Sequence, residues 1–180
     1  MNQSKIGTRY AKAAFELAQE QNCQDHFRDD MHTLSSVLVN SPDFSESLNN
    51  TVINDSVKFK IIEALFSNKF CPLSIDFIKL IIKNDREIHI PAICRHVEKL
   101  YKTSKNIHSL KLYTARNLDN KMKNKINNSV KKALEADKIE MDETIDKNII
   151  GGFILKTEEF MYDASLKNQL ARIKNNLINN

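Results

Sequence analysis

Ile139-Glu-Met-Asp-Glu-Thr-Ile-Asp-Lys-Asn-Ile-Ile-Gly-Gly-Phe-Ile-Leu-Lys-Thr-Glu158 begins with apolar and charged residues in alternation. It then reaches two consecutive glycines and resumes alternation through Phe153 and Leu155. A period of two is the signature of a half-buried strand. The chain contains 3 Gly in all, and two of them stand side by side between these strand-like segments. Glycine accepts positive φ and close backbone approach, so Gly151-Gly152 is expected to mark a sharp backbone event.

Working outward, the same mixture of periods fills the second half of the chain. Leu110, Leu112 and Thr114 alternate with Ser109, Lys111 and Tyr113, which predicts another strand. Leu118, Met122, Ile126, Val130 and Leu134 recur at helical spacing, and Ile139 and Met141 return to strand spacing. A final helix is predicted from about Ser165 to Leu177, with Leu166, Leu170, Ile173 and Leu177 on one face.

Before residue 107 the period is helical throughout. Ile6, Tyr10, Ala13, Ala14, Leu17 and Ala18 form one apolar stripe, and Phe27, Met31, Leu34 and Leu38 a second. Ser41-Pro42 offers a capping hydroxyl followed by proline at the first helical position. Asp55 is expected to cap a fourth helix whose core face is Val57, Ile61, Ala64 and Leu65. Cys71-Pro72 breaks the chain, because the residue before proline disfavours helical geometry. Leu73–Lys83 is apolar nearly all round, as a helix inside a bundle would be, and Ile90, Ile93, Val97, Leu100 and Tyr101 make a sixth stripe. The expected fold is therefore α+β and mainly α. A six-helix bundle over residues 1–105 precedes a small α/β domain over residues 106–180.

Composition narrows the function classes. With 180 residues and 41% hydrophobic content the chain can pack a core, while 7% aromatic residues and no Trp argue against an aromatic-rich binding groove. No run of about 18 apolar residues exists, so no membrane-spanning helix is expected. The N-terminus lacks a secretory h-region and the Arg/Ser-rich character of a transit peptide. Cys23, Cys71 and Cys94 are odd in number and widely spaced, which fits unpaired thiols in a reducing compartment. Cys94, His96 and His89 lie close in sequence but without paired metal-ligand spacing, so no metal site is expected. Asp142-Glu143 and Glu158-Glu159 are adjacent carboxylates, and neighbours on a strand or turn point apart rather than into one pocket. The double glycine lacks the residues of a phosphate-cradling loop. No catalytic residue and no cofactor are expected. Lys121, Lys123, Lys125, Lys131 and Lys132 form a basic run compatible with phosphate binding. The run lacks interleaved aromatics or Arg, however, so a solvated face near acidic partners or headgroups is the preferred reading over nucleic acid.

Several segments resemble the delta subunit of rotary ATP synthases, known in mitochondria as the oligomycin-sensitivity-conferring protein. They are Arg9-Tyr-Ala-Lys-Ala-Ala-Phe-Glu-Leu-Ala18, Ser41-Pro-Asp-Phe44, Phe77-Ile-Lys-Leu-Ile-Ile-Lys-Asn-Asp-Arg86 with Ile90-Pro91, the double-glycine stretch, Asp163-Ala-Ser165 and Gln169-Leu170. The resemblance lies in their order and spacing along most of the chain. It implies a non-catalytic peripheral-stalk subunit that holds the catalytic head against rotor torque during proton-driven ATP synthesis. It further implies that the N-terminal bundle binds N-terminal segments of the alpha subunits and that the C-terminal domain binds the b-subunit stalk. Membrane association would then come only through the complex, at the cytoplasmic face of the bacterial inner membrane. By the same resemblance Tyr10, Ala11 and Ala14 on the first helix and Ile78 and Ile82 on the fifth are carried over as head-binding positions. The alternative for all five is bundle core. Leu166, Leu170 and Ile173 are the expected stalk contact. The chain departs from the family in lacking glycine near Glu158-Glu159, at Ala164 and within Asn84-Asp85-Arg86.

Overall fold

The computed structural model describes residues 2–157 and 160–178, with side chains over 5–157 and 160–171 and at 175. The chain divides between Tyr101 and Lys102 into two compact units. The first contains α1 (Asn2–Glu20), α2 (Gln24–Asn40), α3 (Pro42–Asn49), α4 (Asp55–Phe66), α5 (Pro72–Lys83), a single 3-10 turn at Glu87–His89, and most of α6 (Ile90–Ser104). The predicted succession of six helices is therefore present. Phe27, Met31 and Leu34 of α2 meet Ile62 of α4, Ile78, Ile81 and Ile82 of α5, and Ile93 and Val97 of α6 in one core. Phe27 and Phe77 pack edge to face with centroids 5.7 Å apart. Arg28 of α2 donates to Glu98 of α6 at 2.8 Å and lies over the Tyr101 ring, clamping these helices on the outside.

The helix starts differ in detail from the sequence reading. Pro42 and Pro72 do sit in first turns, where a missing N–H costs nothing. The Ser41 hydroxyl makes no capping bond, and α4 is capped by Asn54 rather than Asp55, its side-chain oxygen accepting from the Ser56 N–H at 3.1 Å. An Asn and an Asp side by side are both competent caps, and only backbone geometry decides between them. At α5 the cap comes from elsewhere in the chain. Asp30 of α2 is buried and accepts from the Cys71 N–H at 2.9 Å and the Ser74 hydroxyl at 2.6 Å.

The inward face of α4 is rotated relative to expectation. On α4 the inward residues are Lys58, Ile62 and Phe66, while Val57 and Leu65 are about half exposed and Ala64 is exposed. The cause is electrostatic. Lys58 Nζ donates to Glu87 Oε1 at 2.6 Å inside the bundle, and a paired lysine can occupy a face that composition assigns to valine. On α5, Ile75, Phe77, Ile78, Ile81 and Ile82 are buried, whereas Leu80 points outward.

The second unit contains β1 (Ile107–Thr114), α7 (Asn120–Ala133), β2 (Lys138–Ile145), β3 (Phe153–Lys156), β4 (Met161–Asp163) and α8 (Leu166–Ile178). The sheet order is β2-β1-β3-β4. The β1–β2 pair is parallel and the other two pairs are antiparallel. α7 is the crossover that parallel pairing demands, and its Ile126 and Val130 pack on Leu110, Leu112 and Leu155. Met122, expected in the same stripe, is half exposed at the helix start.

The double glycine behaves as anticipated. Gly152 has φ +82°, and a Cβ there would lie 2.3 Å from the Ala164 carbonyl oxygen and 2.9 Å from the Ser165 Cα. A Cβ on Gly151 would lie 2.6 Å from Leu166 Cδ1. Backbone bonds at 2.9 Å from the Ala164 N–H to the Phe153 carbonyl and from the Leu166 N–H to the Gly151 carbonyl hold the two segments together. The pair is thus the seat on which the start of α8 rests.

Candidate partner-binding surfaces

The single apolar stripe read along α1 is two stripes. Gly7, Ala11, Ala14, Phe15 and Ala18 form the inward one. Ile6, Tyr10, Ala13 and Leu17 recur at three- and four-residue spacing on an outward flank, with Leu17 41% exposed. α5 repeats the arrangement, with Leu80 49% exposed and Leu73 one heptad earlier half-buried. Of the five positions assigned to head binding, Ala11, Ala14, Ile78 and Ile82 lie in the core and present no surface to a partner. Tyr10 is half-buried on the outward flank, beneath the Arg9 guanidinium at 5.9 Å from its ring centroid. Sequence reasoning missed Ala13, Leu17 and Leu80 as surface. The available signal was an apolar arc too wide for one contact: a helix that needs one buried face but carries apolar residues on two has a second face to cover.

In the second unit, Leu166 is 46% and Leu170 is 65% exposed, one turn apart on α8. Ile173 lies in the same helix with its side chain outside the described residues. Ile150, next to the Gly151 on which Leu166 rests, is 79% exposed and extends the strip onto the β2–β3 loop. The start of α8 is firmly built. The Asp163 carboxylate accepts from the Ser165 N–H at 2.8 Å, and the Ser165 hydroxyl accepts from the Asn168 N–H at 3.3 Å. That carboxylate titrates below its ordinary range because of the hydrogen bonds from Ser165.

The groups weighed for chemistry do not converge. Burial pushes the Cys94 thiol up to about 12 and also raises Cys71, the opposite of what an activated nucleophile needs. His96 is 3.2 Å from the Thr8 hydroxyl, and among the described residues no three His, Cys, Asp or Glu side chains gather to hold a metal ion. Glu143 pairs with Lys123, whose hydrogen bond lowers its pKa, and its oxygen accepts from the Leu118 N–H. Its neighbour Asp142 stands on the other face, in register with Lys111. Glu158-Glu159 lie outside the described residues. The open face of the sheet forms a groove of about 660 Å3 lined by Lys102, Ser109, Lys111, Glu140 and Lys156, where Lys102 meets Glu140 at 2.8 Å. Strand side chains there project side by side rather than toward one point. Among the described residues no helix is long and apolar enough to cross a membrane.

Each unit presents exposed apolar residues on a helix, surface that a partner can cover. Comparison with known proteins identifies the family. The family model described as "ATP synthase delta (OSCP) subunit" matches residues 6–177. The chain is 34% identical over 177 residues to an ATP synthase subunit delta from Azobacteroides pseudotrichonymphae, covering 97% of this chain and 98% of that one. It is 33% identical over 175 residues to the subunit delta of Bacteroides thetaiotaomicron, covering 96% and 94%. A chain in the cryo-EM structure of the Toxoplasma gondii mitochondrial ATP synthase hexamer shares the fold, with TM-score 0.71, 18% identity and coverage of 96% and 97%. On the match across residues 6–177, the chain belongs to the ATP synthase delta (OSCP) subunit family.

Proposed function

We propose that this chain works as the delta subunit in the peripheral stalk of a rotary ATP synthase, a non-catalytic brace between the catalytic head and the stator. Ion flow turns the rotor, and a head free to turn with it would experience no torque with which to release nucleotide. The brace has only to bind at both ends and stay bound. In this reading residues 1–105 grip N-terminal helical segments of the alpha subunits and residues 106–180 grip the b-subunit stalk. The subunit then sits at the cytoplasmic face of the bacterial inner membrane, held there through the complex.

The observation that carries the reading is the exposed pair Ala13 and Leu17 on α1, with Ile6 and Tyr10 half-buried along the same flank, accompanied by the exposed Leu80 on α5. Spacing of three and four residues is what an amphipathic partner helix lays its own stripe against. Apolar burial contributes about 25 cal/mol per Å2, so a long helix accumulates useful affinity on such a surface. Small Ala13 between larger neighbours permits close helix approach. At the other end, Leu166 and Leu170 give α8 a comparable strip for the stalk.

The test is calorimetric titration of the full chain with a peptide of the alpha-subunit N-terminus, beside Leu17→Asp and Leu80→Asp. Each buried leucine is worth roughly 1.5–3 kcal/mol, so each variant is expected to weaken binding tenfold or more. A wild-type chain that ignores the peptide at high micromolar concentration, or variants that bind it as well as wild type, would remove the head-binding assignment.

A further inference from the structure

The lysine run singled out in the sequence is not used by either apolar surface. α7 carries five lysines and no carboxylate between Asn120 and Ala133, and α8 carries three basic residues and no carboxylate. Acidic residues of this unit sit on its strands and loops, such as Asp137, Glu140, Asp142 and Asp146. Carboxylates are thus absent from both helices, while basic residues occur on helices, strands and loops alike. On α7, Lys123 turns toward the sheet and pairs with Glu143. Lys121, Lys125 and Lys132 are exposed at spacings of four and eleven residues, which sets them in one row along the helix. Asn128 falls in the same row, and the ridge is about 16 Å long at 1.5 Å per residue. None of these three lysines has an ion-pair partner among the described residues.

The row is locally unfavourable. Like charges at i and i+4 destabilise a helix, and Lys121 lies in the first turn, where the helix dipole disfavours a cation. The N-cap Asp119 makes no side-chain capping bond that would compensate. An unneutralised ridge maintained against these local penalties calls for an external anion. We infer that the Lys121–Lys125–Lys132 ridge of α7 is a docking surface for a helical protein segment bearing carboxylates along one face. The pitch decides among anionic partners. Carboxylates at four- and seven-residue spacings on an adjacent helix meet this row in register, as flanking charges do in a coiled coil. Nucleic acid recognition wants Arg or stacking aromatics, and the row contains neither. A headgroup surface gains from several apolar residues beside the cations, whereas Ile126 and Val130 of α7 are spent on Leu110, Leu112 and Leu155 and only Met122 is left half exposed. This contact is separate from the α8 strip and does not depend on it.

Fluorescence anisotropy on the full chain provides the test, with four labelled or competing probes. These are a 25-residue helical peptide with glutamates on one face, its isomer with the same glutamates spread around the helix, a 20-base-pair DNA duplex, and vesicles containing phosphatidylserine. The one-faced peptide is expected to bind at least tenfold tighter than its isomer at 50 mM salt, and to lose at least tenfold by 200 mM. The triple variant Lys121→Ser, Lys125→Ser, Lys132→Ser should lose at least tenfold for that peptide while keeping its helical circular dichroism. Since it removes like-charge repulsion, it should melt no lower than wild type. Equal binding of the two isomers, unchanged binding by the triple variant, or ridge-dependent binding to the duplex or the vesicles in preference to the one-faced peptide would each overturn the proposal.

Discussion

Among the described residues four take the left-handed conformation without being glycine: Asn22, Asp85, Asn106 and Glu135 have φ of 54°, 52°, 49° and 49°. At Asn22, Asp85 and Glu135 the flanking bonds identify a Schellman ending. The following N–H reaches five residues back, from Cys23 to Ala18, Arg86 to Ile81 and Ala136 to Lys131, at 2.9 to 3.1 Å. A chain with 3 Gly in total has placed Asn and Asp, and in one case Glu, where glycine is the usual choice. Asn and Asp tolerate this conformation through local hydrogen bonding, but Glu has no such compensation. Glu135→Gly is therefore expected to stabilise the protein by about 0.5–1 kcal/mol, the relief of left-handed strain less the added freedom of the unfolded chain. Urea melts would show a higher midpoint with an unchanged slope, and a lower midpoint would contradict the strain argument. Gly152→Ala should act in the opposite sense and more strongly, by about 2 kcal/mol or more, because the methyl meets the rigid Ala164 carbonyl as well as adopting positive φ. Gly151→Ala displaces only a leucine side chain and should cost less. The glycine pair was legible in the sequence because glycine is rare here. The turn at Asn84-Asp85-Arg86 was visible as a departure, but its left-handed centre was not, since Asp fits many backbone conformations.

Among the helices, existence and order were readable from the 3.6 period, whereas the inward face was not. A period reports that apolar residues share a side, and it does not say which side wins when two are apolar. α1 and α4 both carry two stripes, and packing selected the one that composition favoured less. Charge made the choice at α4, through Lys58 and Glu87, whose side chains are 4% and 8% exposed. Breaking this pair from one side leaves a buried charge alone, so Glu87→Ala is expected to cost about 3–5 kcal/mol. Lys58→Met with Glu87→Leu should recover most of that loss, because two apolar chains leave nothing unpaired. A double variant no more stable than Glu87→Ala would mean that the pair is needed for geometry rather than for charge balance. Asp30 holds α5 by the same logic from a different helix. Asp30→Ala strips acceptors from the Cys71 N–H and the buried Ser74 hydroxyl and should lower stability by about 2–3 kcal/mol. Serine at the Cys71 position would supply a local capping oxygen, so Cys71→Ser in the Asp30→Ala background is expected to restore part of it. No sequence pattern announces a cap that comes from 41 residues away.

For the whole molecule the change of period near residue 107 was enough to divide a helical unit from a sheet-bearing one, and the family resemblance supplied the expectation of what each would hold. The exact gripping residues were illegible for the reason given above: core and contact stripes look alike until packing separates them. This matters mechanically, because a brace must keep its contact stripes exposed while unbound and still fold. Tethering makes modest stripes sufficient. Once one end is attached, the second binds at an effective concentration set by the span between sites, so neither contact needs extreme affinity alone. The two ends should then fail independently. In vesicles containing the reconstituted complex, Leu170→Asp is expected to abolish proton-driven ATP synthesis while leaving binding to the head intact and hydrolysis by the head running. Leu17→Asp with Leu80→Asp should abolish the same synthesis while leaving stalk binding intact. All three positions are exposed, so neither variant should melt more than a degree or two lower, unlike Ile78→Asp in the core. Synthesis that survived Leu170→Asp at the wild-type rate would show that α8 bears no load, and the stalk contact would have to be sought elsewhere on the second unit.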